Sequence, residues 1–381
     1  MIRFFLLIIL VSFSYHYGIE RSRPYEFIGY ASSLFFLVVF TFVDVKNRVK
    51  YFSFNSKSIL ILFFAIVLTL SSLITGEYFN GVISVYQIIF LYVLGNYLYY
   101  SLGYEKAVSL VARVILSSGL FFAITGIVSD YTGSWDLILF KYDHLSIYDG
   151  RMTGLLGSAN YFGTYMYVAL ICAFYVKFRP PLIKVVIMMI LTYCIVSSGS
   201  RGVMFSAALS LFFVYLYQNF GRNVVMFFLF SLISLMWFID FESVIVNYIS
   251  RDPELYYKHG ADPRVGFWLK SFSYYKEFNL IEKLLGYGHV SYFNLLGGST
   301  HSGWLTLLMG KGIISLILLI QIFRLGILNS LSAPRNIVLL ILTFGVLKNL
   351  TNADFPAMTF LGIVVLLLVT ISLHENSLHT Q

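Results

Sequence analysis

Apolar runs of roughly membrane-spanning length follow one another along almost the whole chain, and a single long polar stretch, 240–301, interrupts them. A span needs roughly 17–25 mainly apolar residues. Inside hydrocarbon every backbone N–H and C=O must be bonded within the protein, which makes the helix the simplest spanning form. On that measure spans fall near 4–19, 25–43, 58–75, 82–101, 107–128, 153–176, 183–198, 202–218, 223–240, 303–323, 336–349 and 356–373. The expected fold is an all-α polytopic membrane protein: a single transmembrane domain over 1–381 of about twelve helices. One long external loop, 241–302, separates the ninth span from the tenth. Spans seven, eight and eleven are short enough to be tilted, broken or re-entrant.

Composition excludes the soluble alternatives. Of 381 residues 59% are hydrophobic and 12% charged, with a mean hydropathy of +0.81, where a soluble chain carries about 25% charged residues. The net charge of +8 does not suggest nucleic acid, because the basic residues are scattered between runs rather than gathered in a patch. Cys172 and Cys194 both lie in apolar stretches and read as small core residues with no disulfide framework. Residues 1–19 carry one charge, Arg3, and no A-x-A-like cleavage site, so they read as a retained first span rather than a signal peptide.

Lysine and arginine asymmetry sets the expected orientation. With the N-terminus cytoplasmic, Arg3, Lys46, Arg48, Lys50, Lys57, Lys106, Lys177, Arg179, Lys184, Arg222, Arg324 and Arg335 fall inside. The short outer loops receive Arg21, Arg23, Lys141, Arg151, Arg201 and Lys348. Both termini are therefore expected inside and the polar loop outside.

No Walker-type phosphate loop, paired-cysteine zinc motif, H-E-x-x-H or G-x-S-x-G pattern occurs, which argues against an ATPase, a zinc protease and an α/β-hydrolase. The spans hold almost no carboxylates, the usual coupling groups of cation carriers. A set of cations at the outer ends remains. Arg151 opens Gly150-Arg-Met-Thr-Gly-Leu-Leu-Gly-Ser-Ala-Asn160. It reads either as an interfacial arginine snorkelling to headgroups or, with the glycines and Asn160, as a place where a ligand approaches the backbone. Arg201 breaks two apolar runs in Ser197-Ser-Gly-Ser-Arg-Gly202. It reads either as an exposed turn or as a helix N-terminus whose free N–H groups, with the guanidinium, hold a phosphate.

Asp262-Pro-Arg-Val-Gly-Phe-Trp268 predicts a helix starting at Pro263, with Arg264 and Trp268 one turn apart on one face. Lys270, Lys276 and Lys283 fit a solvated face. His301, after a glycine-rich turn and before span ten, is the leading general-base candidate over His259 and His289 in the same loop. Lys311, about two turns into span ten, needs a partner or a polar cavity; Arg113 and Lys348 raise the same question unless they snorkel.

Gly286-Tyr-Gly288 followed by His301-Ser-Gly-Trp-Leu-Thr-Leu-Leu-Met-Gly-Lys-Gly312-Ile-Ile-Ser315 resembles the G-x-G … H-N-x-x-L-x-x-L-x-x-x-G-x-x-G stretch of the O-antigen ligase and polymerase superfamily. The Arg151 segment, the Ser200-Arg-Gly202 turn and Asp262-x-Arg264 with Trp268 stand in the expected order, so the resemblance covers about 150–320. Ser302 stands where Asn is common, and Ser315 replaces the final Gly.

The resemblance implies a metal-independent, inverting glycosyltransferase of the GT-C-like type in the bacterial inner membrane, with no cofactor. Its donor and acceptor would be undecaprenyl-pyrophosphate-linked glycans, met at the periplasmic face. Arg201 and Arg264, with Arg151 as a third, would then stabilise the pyrophosphate leaving group, and His301 would take the acceptor proton. Trp268, Tyr287, Tyr292 and Trp304 are candidates for stacking on sugar, and Asn160 for a glycan contact. The polymerase is preferred over the ligase, which transfers onto lipid A–core, because the loop lacks an extra basic patch for a phosphorylated core. A flippase, expected to have a cationic central cavity and two similar halves, is the third reading. A chain-length regulator is the expected accompanying partner of a polymerase.

Overall fold

The computed structural model describes residues 31–36, 38–39, 48–52, 58–132, 151–156, 158–221, 263–297, 302–331, 336–351 and 360–373. Helices follow the apolar runs: α1 (Ile59–Ile74), α2 (Tyr78–Leu102), α3 (Tyr104–Thr132), α4 (Ala159–Tyr175), α5 (Pro181–Ser197) and α6 (Arg201–Phe220). After the polar stretch come α7 (Pro263–Glu277), α8 (Leu280–Leu285), α9 (His289–Leu296), α10 (Gly303–Asn329), α11 (Asn336–Thr351) and α12 (Phe360–Leu373). Among the described residues there is no strand. The runs expected near 4–19 and 223–240, and most of 25–43, lie outside the described residues.

Among the described residues, four helical runs are by length and composition alone long and apolar enough to cross a membrane: 81–102 of α2, 104–131 of α3, α6, and α10 when counted across its break at Gly312. α1, α5, α11 and α12 are shorter and equally apolar. The outward faces of α1, α5 and α6 carry Phe63, Leu182, Phe205 and Leu211 in the open, as expected where the surrounding medium is lipid. Inside, small residues let helices meet closely: a Cβ on Gly95 would strike Thr370 of α12, and one on Gly119 would strike Ala169 of α4. Phe122 packs edge-on against Tyr165 at 4.9 Å, and the Tyr165 hydroxyl donates to Ser118 Oγ at 2.6 Å. Cys172 and Cys194 are buried free thiols in this core.

The structure corrects span ten. Gly312 interrupts α10 with φ 81° and ψ 172°, a conformation that is essentially glycine's own. A straight helix would hold Trp304 and Phe323 about 28 Å apart, at about 1.5 Å per residue. Their ring centroids lie 5.8 Å apart. The arms 303–311 and 313–329 therefore fold back on each other at an acute angle, with Gly312 at the vertex. The first arm is an interior element, with Leu307, Met309, Gly310 and Lys311 buried. It is pinned at its start to α11, where Ser302 Oγ donates to the Asn349 carbonyl at 3.4 Å and Trp304 Nε1 to the Val346 carbonyl at 3.2 Å. Apolar composition looks the same in a straight span and in this hairpin, so hydropathy does not separate them.

Candidate functional site

Two polar clusters stand at helix ends, one where α5 gives way to α6 and one where α1 gives way to α2. The first is built where α5 ends and α6 begins. Met152 N–H donates to the Ser197 carbonyl at 2.9 Å, and Arg151 Nε donates to the Ser198 carbonyl at 2.9 Å. Ser200 stands at the N-cap of α6, where a serine ordinarily accepts from the first-turn N–H groups. Here its hydroxyl instead donates to Asn160 Oδ1 at 2.6 Å, and it makes no side-chain cap on α6. The first-turn N–H groups of α6 are thereby left without that side-chain acceptor, at the positive end of a twenty-residue helix dipole. Arg201 is the first residue of that turn and is exposed; Arg151 and Asn160 are half-buried beside it. A helix N-terminus flanked by guanidinium groups suits a phosphate-bearing ligand.

The second cluster joins the polar stretch to the α10 vertex. α7, α8 and α9 are packed, not splayed: Phe278, Tyr292, Leu296 and Met309 form a small core of their own. Tyr287 stacks on Phe278 at 4.9 Å and 14°, and Ser271 Oγ and Tyr292 OH are hydrogen-bonded at 2.9 Å. Asn279 and Glu282 close a reciprocal capping box that starts α8. Past Gly286 the chain runs against the break in α10. Tyr287 N–H donates to the Met309 carbonyl at 2.9 Å and Gly288 N–H to the Gly310 carbonyl at 3.2 Å. These are carbonyls that an unbroken helix would have used itself. A Cβ on Gly286 would collide with the backbone of Gly310 and Lys311, and one on Gly312 with Leu284 and Leu285. The Gly-Tyr-Gly and Gly-Lys-Gly motifs are the two halves of one backbone contact.

At that contact the Lys311 ammonium lies 3.4 Å from Glu77 Oε2, the two side chains 5% and 7% exposed, and donates to Ser72 Oγ at 2.9 Å. Glu77 Oε1 accepts from Val290 N–H at 2.6 Å, so one carboxylate serves the ammonium and the N-terminus of α9 together. Burial works against ionisation of Glu77. The backbone N–H groups of Val290 and His289, with the ammonium, outweigh it and hold the carboxyl below its ordinary value.

The structure brings Arg151, Asn160 and Arg201 together. Arg264 falls on the first turn of α7, which begins at Pro263 as the sequence predicts, with Trp268 half-buried one turn on. The Arg264 side chain and all of His301, His259 and Asp262 lie outside the described residues. Tyr287 and Trp304 have protein partners, Phe278 and Phe323. Lys270 is exposed, as expected of a solvated face, and from there donates to the Leu296 carbonyl at 3.3 Å and lies 5.8 Å from the centre of the Tyr274 ring. Lys348 is buried at 1% rather than snorkelling, whereas Arg113 is exposed. Glu77 is the residue that sequence reasoning missed. Lys311 signalled the need for a partner, but nothing in the sequence says which carboxylate supplies it.

Fold and site define the class: an α-helical, membrane-embedded protein with a broken helix and a packed polar segment at one end. Compared with known proteins, the chain matches no family model and no curated sequence.

Proposed function

We propose that this protein is a metal-independent, inverting glycosyltransferase of the O-antigen ligase/polymerase superfamily, GT-C-like and of about twelve spans. It lengthens a lipid-linked glycan at the periplasmic face of the bacterial inner membrane. The acceptor hydroxyl oxygen attacks the anomeric carbon of the donor's first sugar from the face opposite the leaving group. The new glycosidic C–O bond forms as the bond to pyrophosphate breaks. Undecaprenyl pyrophosphate departs with the electron pair, and the hydroxyl proton passes to His301.

The observation that carries the reading is the α6 N-terminus, uncapped by Ser200 and faced by Arg201 and Arg151. It offers N–H groups and positive charge where a pyrophosphate would gather charge in the transition state. Arg264, on the first turn of α7, is the third arginine of the reading, and the Asn160 side chain orders the turn that carries Arg201. In the sequence His301 immediately precedes Ser302, the residue that pins the folded-back arm of α10 to Asn349.

Purified protein with lipid-linked repeat units tests the assignment. His301→Ala is expected to lose chain elongation by about 10²–10⁴-fold while still binding donor, since a base acts in the chemical step. His289→Ala is expected to keep most activity. Loss of donor binding in His301→Ala, or an inactive His289→Ala, removes His301 from the role.

A further inference from the structure

The Glu77–Lys311 pair does more than neutralise a buried lysine. Three separate elements meet on one carboxylate. Glu77 belongs to the turn between α1 and α2, Lys311 to the vertex of the α10 hairpin, and the Val290 N–H to the first turn of α9. Ser72 at the end of α1 adds a third contact, to the same ammonium. The backbone around them is fitted for close approach: Tyr287 and Gly288 donate to the carbonyls of Met309 and Gly310, and a Cβ on Gly288 would lie 2.8 Å from Glu77 Oε1. A lone ion pair would need none of this fitting.

We propose that Glu77 is a positioning residue: its carboxylate, shared by the Lys311 ammonium and the N-terminus of α9, clamps the packed polar segment to the vertex of the α10 hairpin. The consequence for catalysis rests on the glycosyltransferase reading, but the geometry of the clamp does not. The clamp holds the first turn of α9, the rest of α9 is held by Lys270 on the Leu296 carbonyl and by Ser271 with Tyr292, and the start of α10 is held by Ser302 on the Asn349 carbonyl. In the sequence His301 falls between α9 and α10, the two elements so held. Releasing the clamp loosens α9 against the α10 vertex, next to the arm that His301 precedes in the sequence, and leaves the arginine cluster on α6 untouched. Chemistry would then slow while donor binding is kept.

A charge-swapped pair separates a shared clamp from a simple ion pair. A glutamate at position 311 with a lysine at 77 restores the opposite charges, but the ammonium cannot accept from the Val290 N–H. The contact itself can be read by a disulfide. A Cβ placed on Gly310 lies 3.7 Å from the His289 Cβ, within the range a disulfide spans.

The experiment uses the full chain carrying Gly310→Cys and His289→Cys, purified in detergent, as parent. The parent is expected to oxidise readily. Adding Glu77→Leu is expected to slow disulfide formation by about tenfold or more, and adding Glu77→Lys with Lys311→Glu is expected not to restore it. In elongation assays Glu77→Leu is expected to lower kcat with the KM for lipid-linked donor unchanged. Forcing the disulfide closed with an oxidant is expected to return kcat towards the parent value. If Glu77→Leu does not accumulate as folded protein, Lys311→Met takes its place with the same expectation.

Disulfide formation as fast in Glu77→Leu as in the parent overturns the clamp. So does a charge swap that restores the parent rate, or a parent that does not cross-link. A lowered donor affinity with kcat unchanged overturns its positioning role. If cells lacking the protein make glycan of normal length, the glycosyltransferase reading fails instead, and the disulfide rates still decide the clamp.

Discussion

At the residue scale the account turns on which side chain Ser200 serves. Its hydroxyl goes to Asn160, and a capping serine that looks elsewhere leaves a helix N-terminus open to an anion. Arg201 stands on that first turn. A planar guanidinium binds pyrophosphate oxygens two at a time, and an ammonium does not. Arg201→Lys is therefore expected to lose nearly as much elongation activity as Arg201→Ala, with Lys270→Ala mild. Equal, small losses in all three, measured as glycan chain growth, would return Arg201 to an interfacial role. Glu77 makes a second prediction at this scale. Its carboxyl is held below the ordinary value, 4.5, so its stabilisation is fully present above that pH and is lost as pH falls through the lower folded value. The titratable groups facing it are the Lys311 ammonium and, on α9, the His289 imidazole, which burial holds below its ordinary value. With His289→Ala in both proteins, so that no imidazole titrates beside the carboxylate, the difference in thermal midpoint between Glu77 and Glu77→Gln is expected to be constant from pH 7 to pH 5 and to shrink below about pH 4.5. A difference that vanishes near neutrality contradicts the assignment. Arg201 and Asn160 were legible in the sequence because short polar strings stood out between apolar runs. Glu77 was not, because its partner lies 234 positions away and a single acidic residue in a turn has no distinguishing local pattern.

At the element scale the informative feature is the break in α10. The helix itself, the start of α7 at Pro263 and the start of α6 at Arg201 all follow from local signals in the sequence. The folding-back of α10 does not, because the apolar pattern continues across Gly312 without a change of period. What hydropathy cannot carry, the pairing of glycines does: Gly286 and Gly288 on one strand of chain match Gly310 and Gly312 on the other. Gly103, between α2 and α3, offers a control. It has φ 75° and ψ 165°, close to Gly312, but a Cβ there meets nothing within 4 Å. Gly103→Ala is expected to cost only backbone strain, of order 1–3 kcal/mol. Gly312→Ala adds a collision with Leu284 and Leu285, and overpacking of that kind costs about 1–3 kcal/mol more. Thermal unfolding in detergent should thus place Gly312→Ala clearly below Gly103→Ala, and equal midpoints would mean that the vertex does not dock as described.

For the whole molecule, lysine and arginine asymmetry predicts that the face carrying α7 looks outward. Cysteines introduced near Lys270 are expected to react with an impermeant thiol reagent in intact cells, and those near Arg179 only after permeabilisation; the reverse would put the site on the wrong face. The apolar runs and the helices coincide closely from α1 to α6 and again at α11 and α12, because all-round hydrophobicity over membrane length has few other solutions. How the helices are arranged was not legible, since lipid-facing and core-facing residues are both apolar: Phe205 is exposed and Phe162 buried with nothing in their side chains to tell them apart. The central claim, that this protein joins lipid-linked repeat units, is tested most directly by the glycan ladder of cells lacking the protein and complemented with wild type or Arg201→Lys. The account predicts that the deletion leaves a single repeat attached to the core, that wild type restores long chains, and that Arg201→Lys does not. A complete loss of attached glycan with lipid-linked polymer accumulating would identify a ligase, a build-up of single repeats inside the cell a flippase, and an unchanged ladder would contradict the account.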